Sequence, residues 1–239
     1  MLRIIDARTG DPVEAAPARR GLTRVEAHAP GLDTTALRVL LVADVLVRAL
    51  ELAGTPVWGL LSAERQRDEL RAASAALGVR PFEDRREAGP GLGERRVLHV
   101  AAADGAAPDG VRVDVAAVEP DTVAPDADPA AVRLALLSRR RHEPAVLDAD
   151  ALAAAGETLA GWRRAVAGWA RQPSRPVPEE VRGRLRAAWE DDLDVPGVLG
   201  VLRWVAGEPE LPDGARFETY VYADRLLGLD LAIDIGAPT

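Results

Sequence analysis

The sequence predicts an α/β domain over residues 1–125 followed by an α-helical bundle over residues 126–239. In the first half, short apolar runs alternate with longer amphipathic stretches. The order strand–helix–strand–helix is that of a parallel sheet with crossover helices. In the second half every apolar pattern has the helical period and the links between patterns are short, which suits antiparallel helices.

Leu22 to His28 alternates apolar and polar side chains, as a half-buried strand does. Asp33 or Thr34 then caps a helix running from about Thr35 to Leu52, whose leucines and valines cover one wide face until Gly54 and Pro56 stop it. Val57 to Leu61 reads as a buried strand. Ser62 is placed to cap a second helix that stops at Gly78. Arg96 to Val100 and Val111 to Val115 read as strands, with Ala101 to Gly110 as a hairpin connection between them. The Gly89-Pro90-Gly91-Leu92-Gly93 stretch is too broken by proline for a dinucleotide loop and reads as a connection.

The character changes between Glu119 and Asp126, and only helices are expected beyond. Asp128, with Pro129 at the first helical position, opens one through Arg141. Others are expected from Ala149 to Arg171, Glu179 to Asp191, Asp194 to Val205, and Arg216 to Leu227 before Gly228.

Composition narrows the chemistry. The chain is 48% hydrophobic and 28% charged, with 4% aromatic residues and a net charge of −8. That balance suits a globular protein and argues against a broad nucleic-acid surface, which needs clustered positive charge. Without cysteine there is no disulfide, thiolate metal site or thiol nucleophile. Lysine is also absent, so arginine carries the positive charge and no lysine chemistry is available. The start has no apolar targeting segment and no stretch is long enough to span a bilayer, so a cytoplasmic location is expected.

Several blocks resemble a known family. Leu37 to Gly54, with Asp44-Val45-Leu46 and Arg48-Ala49-Leu50 at its centre, resembles the A-R-x-x-x-x-F-D-V-L-x-R-x-L-x-x-x-G helix of cysteinyl-tRNA synthetases. The related cysteine ligases of mycothiol biosynthesis share this region. Ala75 to Pro81 is similar to the family's segment ending A-L-x-V-x-P. Asp128 to Ser138 resembles D-P-x-x-L-R-x-x-L-L-S, and Glu190 to Leu202 resembles x-D-D-L-N-T-P-x-A-L-x-x-L. Asp224 to Leu231 fits the same alignment, whereas about Glu87 to Asp126 matches poorly.

The resemblance implies a Rossmann-like nucleotide-binding domain of the class I synthetase type, followed by the helical bundle. It also implies a reaction in which ATP and cysteine give an aminoacyl-adenylate, with the phosphates held by helix N-termini and positive side chains. The family's H-I-G-H histidines fall where this chain has Asp33-Thr34-Thr35-Ala36, and its K-M-S-K-S loop cannot exist without lysine. His28-Ala29-Pro30 stands where the family has C-G-P, whose cysteine binds zinc. His99 and His142 add no recognisable ligand pattern.

The expected function is therefore that of a catalytically inactive, degenerate paralogue retained for binding a small ligand or a protein. The alternatives are an ATP-dependent amino-acid ligase with a rebuilt site, which would need Arg38, Arg112 and Arg133 for phosphate, or a non-catalytic subunit of a larger complex. The candidate ligand-binding residues are His28, Asp33, Thr34, Thr35, Arg38, Arg112 and Arg133, with no catalytic or metal-binding residue among them. No resident cofactor is expected, with ATP as the alternative and zinc not expected; neither tRNA nor a membrane is an expected partner.

Structural roles compete for the same side chains. His28 also reads as an ordinary hydrogen-bonded histidine. Arg139, Arg140 and Arg141 with His142 suit a helix C-terminus as well as a phosphate. Asp191, Asp192 and Asp194 suit helix caps as well as a metal. The tryptophans of the helical half suit packing as well as an exposed interaction surface.

Overall fold

The computed structural model describes residues 1–16, 21–86, 96–120 and 127–236. The glycine-rich stretch at 89–93 and most of the 119–126 transition lie outside the described residues.

The chain opens with a small antiparallel pair, β1 (Arg3–Ile5) and β2 (Pro12–Glu14). Then come β3 (Thr23–Ala29), α1 (Thr34–Leu52), β4 (Val57–Ala63), α2 (Arg67–Ala76), β5 (Glu83–Asp84), β6 (Arg96–Ala102) and β7 (Val111–Val115). The five strands β3 to β7 form one parallel sheet in the order β5-β4-β3-β6-β7. The sheet grows from β3 in both directions, so the winding reverses between β3 and β6.

Val25, Ala27 and Ala29 of β3 are buried and join the core with Val39, Leu40, Leu46 and Leu50 of α1, the helix packed along the sheet. Strand alternation sends Arg24, Glu26 and His28 to the opposite face. α1 starts where the sequence places it, with Asp33 Oδ1 accepting a hydrogen bond from Ala36 N at 2.6 Å.

Three local expectations are corrected. β6 and β7 are parallel, with Leu98 beside Val111, so residues 103–110 return along the sheet rather than forming a hairpin. Eight residues can do this because the return covers only the few residues by which the strands overlap. Ser62 lies inside β4, and α2 starts only at Arg67, after a left-handed Gln66. The following helix, α3 (Pro129–Leu137), stops four residues short of Arg141, and beyond its end the carbonyls of Arg140 and Glu143 accept from the Arg38 guanidinium.

β8 (Val118–Glu119) pairs in parallel with β9 (Ala145–Val146), so that β9 is a short strand inside the region expected to be wholly helical. The remaining helices are α4 (Ala149–Trp169), α5 (Glu179–Glu190), α6 (Val195–Gly207) and α7 (Asp213–Leu227). Asp148 and Asp194 cap α4 and α6 through side-chain bonds to Ala151 N and Gly197 N. Trp162 and Trp169 set their rings edge-on to Tyr220, whose hydroxyl donates to Leu202 O at 2.8 Å. Packing is thus the role of these aromatics.

Buried ion pairs join the helices to one another, and one of them also reaches the strands. Asp44 of α1 accepts from Arg48, Arg80 and Arg133. Arg133 of α3 is 1% exposed and also donates to Leu77 O, just past α2, and Leu227 O, at the end of α7. Arg141 binds Asp192 at 2.5 Å while donating to Asp114 O and Ile5 O. Among the described residues, no helix is long and apolar enough to cross a membrane.

Candidate functional site

A cleft of about 520 Å³ opens at the carboxyl ends of the strands, beside the N-terminus of α1. This is the switch point between β3 and β6, where open parallel sheets bind their ligands. β3 contributes His28, β4 contributes Ser62 with Glu64 just beyond, the turn after β6 contributes Asp104, and the start of α1 contributes Asp33 and Thr35. Its size suits a small molecule.

The expected site residues separate into two groups. His28, Asp33 and Thr35 line the cleft. Thr34 is buried beside it, donating its hydroxyl to Pro120 O at 2.6 Å, and Thr35 Oγ1 accepts from Val118 N at 3.0 Å. The three arginines are not among the lining residues. Arg38 is 1% exposed and donates to the carbonyls of Ala116, Glu143 and Arg140 at 3.0, 2.7 and 2.8 Å. Burial lowers its pKa to about 10, which leaves it cationic at neutral pH. Arg112 pairs with Asp114 and bonds to the carbonyls of Ala102 and Ala103, and Arg133 is held by Asp44.

The charge of the cleft follows from this division. Among the described residues its ionisable lining is Asp33, Glu64, Asp104 and Glu119 together with His28, and no arginine. One orphan amide of the helix N-terminus is already satisfied by Asp33. A triphosphate placed there would meet these carboxylates and no arginine of the lining.

Behind the cleft wall, the sheet brings together two histidines that lie 71 residues apart in sequence. His99 of β6 sits in register with Glu26 of β3, and His28 lies two residues further along the same face. His28 Nε2 and His99 Nδ1 are 2.9 Å apart. Burial lowers His28 to about 4, with His99, Arg112, Arg24 and Arg85 adding to the effect. Burial also lowers His99, reinforced by Arg24 and opposed by a hydrogen bond to the Asp109 backbone. Both shifts favour the neutral rings, and across the 2.9 Å contact one ring nitrogen donates to the other. Glu26, His28 and His99 place one ligand-competent atom each within 4.8 Å of one another.

The sequence reading misses Glu26, Ser62, Glu64, His99 and Asp104. A signal was present in β3: a central parallel strand covered on both faces runs continuously apolar, whereas this one alternates. Pairing His28 with His99 needs the strand order, which periodicity does not supply.

No protein-family model matches the chain. Curated relatives do. It is 41% identical over 111 residues to the L-cysteine:1D-myo-inositol 2-amino-2-deoxy-alpha-D-glucopyranoside ligase of Streptosporangium roseum, covering 44% of this chain and 26% of that protein. To the protein of the same name from Parafrankia sp. it is 42% identical over 114 residues, covering 44% and 25%. The chain resembles these cysteine ligases. The similarity agrees with the resemblance to cysteinyl-tRNA synthetases carried by the sequence blocks, and the chain spans about a quarter of the length of the curated relatives it matches.

Proposed function

We propose that this chain is a non-catalytic relative of the cysteine ligases, retained to bind a small polar ligand at the carboxyl edge of its sheet. The observation that supports it is the charge of the cleft: an adenylate-forming site must neutralise a triphosphate, and the ionisable lining here is acidic apart from one neutral histidine.

A rebuilt ligase would draw on the arginines for phosphate. Arg38 and Arg133 are buried and engaged with backbone carbonyls, so moving either into the cleft would strand several acceptors. Arg112 is held on β7 by Asp114 and two carbonyls. The residues that survive from the family blocks, Asp44, Arg133 and Asp192, maintain the fold. Binding of a polar ligand can persist on such a scaffold after the chemistry is gone.

The test is amino-acid-dependent ATP–pyrophosphate exchange across the standard amino acids, with and without zinc. Folded protein is expected to show no exchange above background. Exchange with any amino acid would overturn the non-catalytic reading.

A further inference from the structure

We propose that Glu26, His28 and His99 form a binding site for one divalent transition metal ion of the zinc type, set into the sheet behind the cleft. None of these contacts is local in sequence except that of Glu26 with His28. The parallel register puts Glu26 opposite His99, and the two-residue strand repeat puts His28 on the same face.

The chemistry of the donors suits the ion. Two imidazoles and a carboxylate are a borderline-soft set that takes zinc with three protein ligands and leaves a fourth position for water or another ligand. His28 lines the cleft, so that position can face it. Nitrogens bound at 2.0–2.1 Å in a tetrahedral site stand about 3.3 Å apart, so the observed 2.9 Å needs an opening of only a few tenths of an ångström.

The surroundings hold the donors in place. With Nδ1 of His99 turned to His28, Nε2 is left for the Asp109 backbone, the support that metal-bound histidines commonly have. Gly110 makes room for this ring: at its φ of +147° a Cβ would stand 2.9 Å from His99 Cδ2. Arg24 and Arg85 approach the Glu26 oxygens at 3.6 and 3.4 Å. They orient the carboxylate, and their charge tempers its affinity for a metal.

The direct test titrates the chelator-treated full chain with Zn²⁺ by calorimetry and with Co²⁺ by visible absorption. One equivalent is expected to bind, with Co²⁺ giving the intense absorption of a four-coordinate ion. His28→Ala and His99→Ala should each weaken Zn²⁺ binding at least about tenfold. His28→Gln and His99→Gln keep a hydrogen-bonding group and serve where the alanine variants fail to fold. His142→Ala, outside the cluster, should bind as the parent does. Absence of stoichiometric binding in the parent, or unchanged binding in both folded histidine variants, would overturn the site and leave a hydrogen-bonded histidine pair. The readout is metal binding itself, so it stands or falls independently of pyrophosphate exchange.

Discussion

Arg133 shows how a side chain that reads as a phosphate ligand can be a structural clamp. Its guanidinium ties Asp44 on α1 to the carbonyls ending α2 and α7, and it is 1% exposed. Burial lowers its pKa while Asp44 opposes the shift, as expected for a desolvated pair. Removing one partner of such a pair leaves the other buried without compensation. Arg133→Met is therefore expected to destabilise the fold by about 3–5 kcal/mol in chemical denaturation. Gly228 belongs to the same clamp: its φ is +59°, and a Cβ there would stand 2.8 Å from Arg133 Nη2. Gly228→Ala should cost about 1–2 kcal/mol for the left-handed backbone and more for displacing Arg133. Much of that excess should vanish in the Arg133→Met background, which a double-mutant cycle measures. The sequence placed Arg133 on a helix, but its partners Asp44 and Leu227 lie 89 and 94 residues away. Local patterns carry no such information.

The helices were legible where an aspartate cap or a glycine stop marked them, whereas the cap signal at Ser62 misplaced the start of α2, because Ser62 lies inside β4. Asp33, Asp148 and Asp194 each bond to an amide of the first turn, and Gly228 adopts the left-handed conformation that ends α7. The strands of two or three residues escaped, because β1, β2, β5, β8 and β9 are too short for alternation to stand out. The parallel pairing of β6 and β7 escaped because a turn-rich link of moderate length normally signals a hairpin. At the end of α7 the same local logic yields a pH effect. Asp224 accepts from Leu229 N and Leu231 N at 2.7 and 2.9 Å, yet burial raises its pKa above 3.8. A raised folded-state value means that the folded chain holds its proton to higher pH than the unfolded chain. This contribution to stability is full below 3.8 and is lost as pH rises through the folded value. Asp224→Asn, which cannot ionise, should therefore gain stability relative to the parent between pH 4 and pH 7. Urea denaturation at the two pH values measures the difference, and an equal offset at both would exclude the effect.

At the scale of the whole molecule, the layout of the sheet was readable but the character of its ligand site was not. The sequence showed a strand and helix converging near Asp33, and it located three residues of the cleft there. The acidic character of the cleft emerges only when Glu64 after β4 and Asp104 after β6 are brought beside Asp33. If this charge excludes a triphosphate, reversing part of it should restore some affinity while the family scaffold stays intact. Glu64 and Asp104 are both exposed, so replacing them tests charge with little effect on packing. ATP at millimolar concentration is expected to leave the melting temperature of the parent unchanged. The Glu64→Lys/Asp104→Lys variant should gain stability with ATP, following the mass-action relation in which ligand at ten times its Kd adds about 1.4 kcal/mol. The gain should shrink as salt rises, because exposed charges are screened beyond about 8 Å at physiological ionic strength. Stabilisation of the parent by ATP would show that the lining tolerates phosphate and would count against the non-catalytic reading. A variant that remains indifferent to ATP would instead locate the barrier in the shape of the cleft, where Asp33 closes the helix end that phosphates use in related folds.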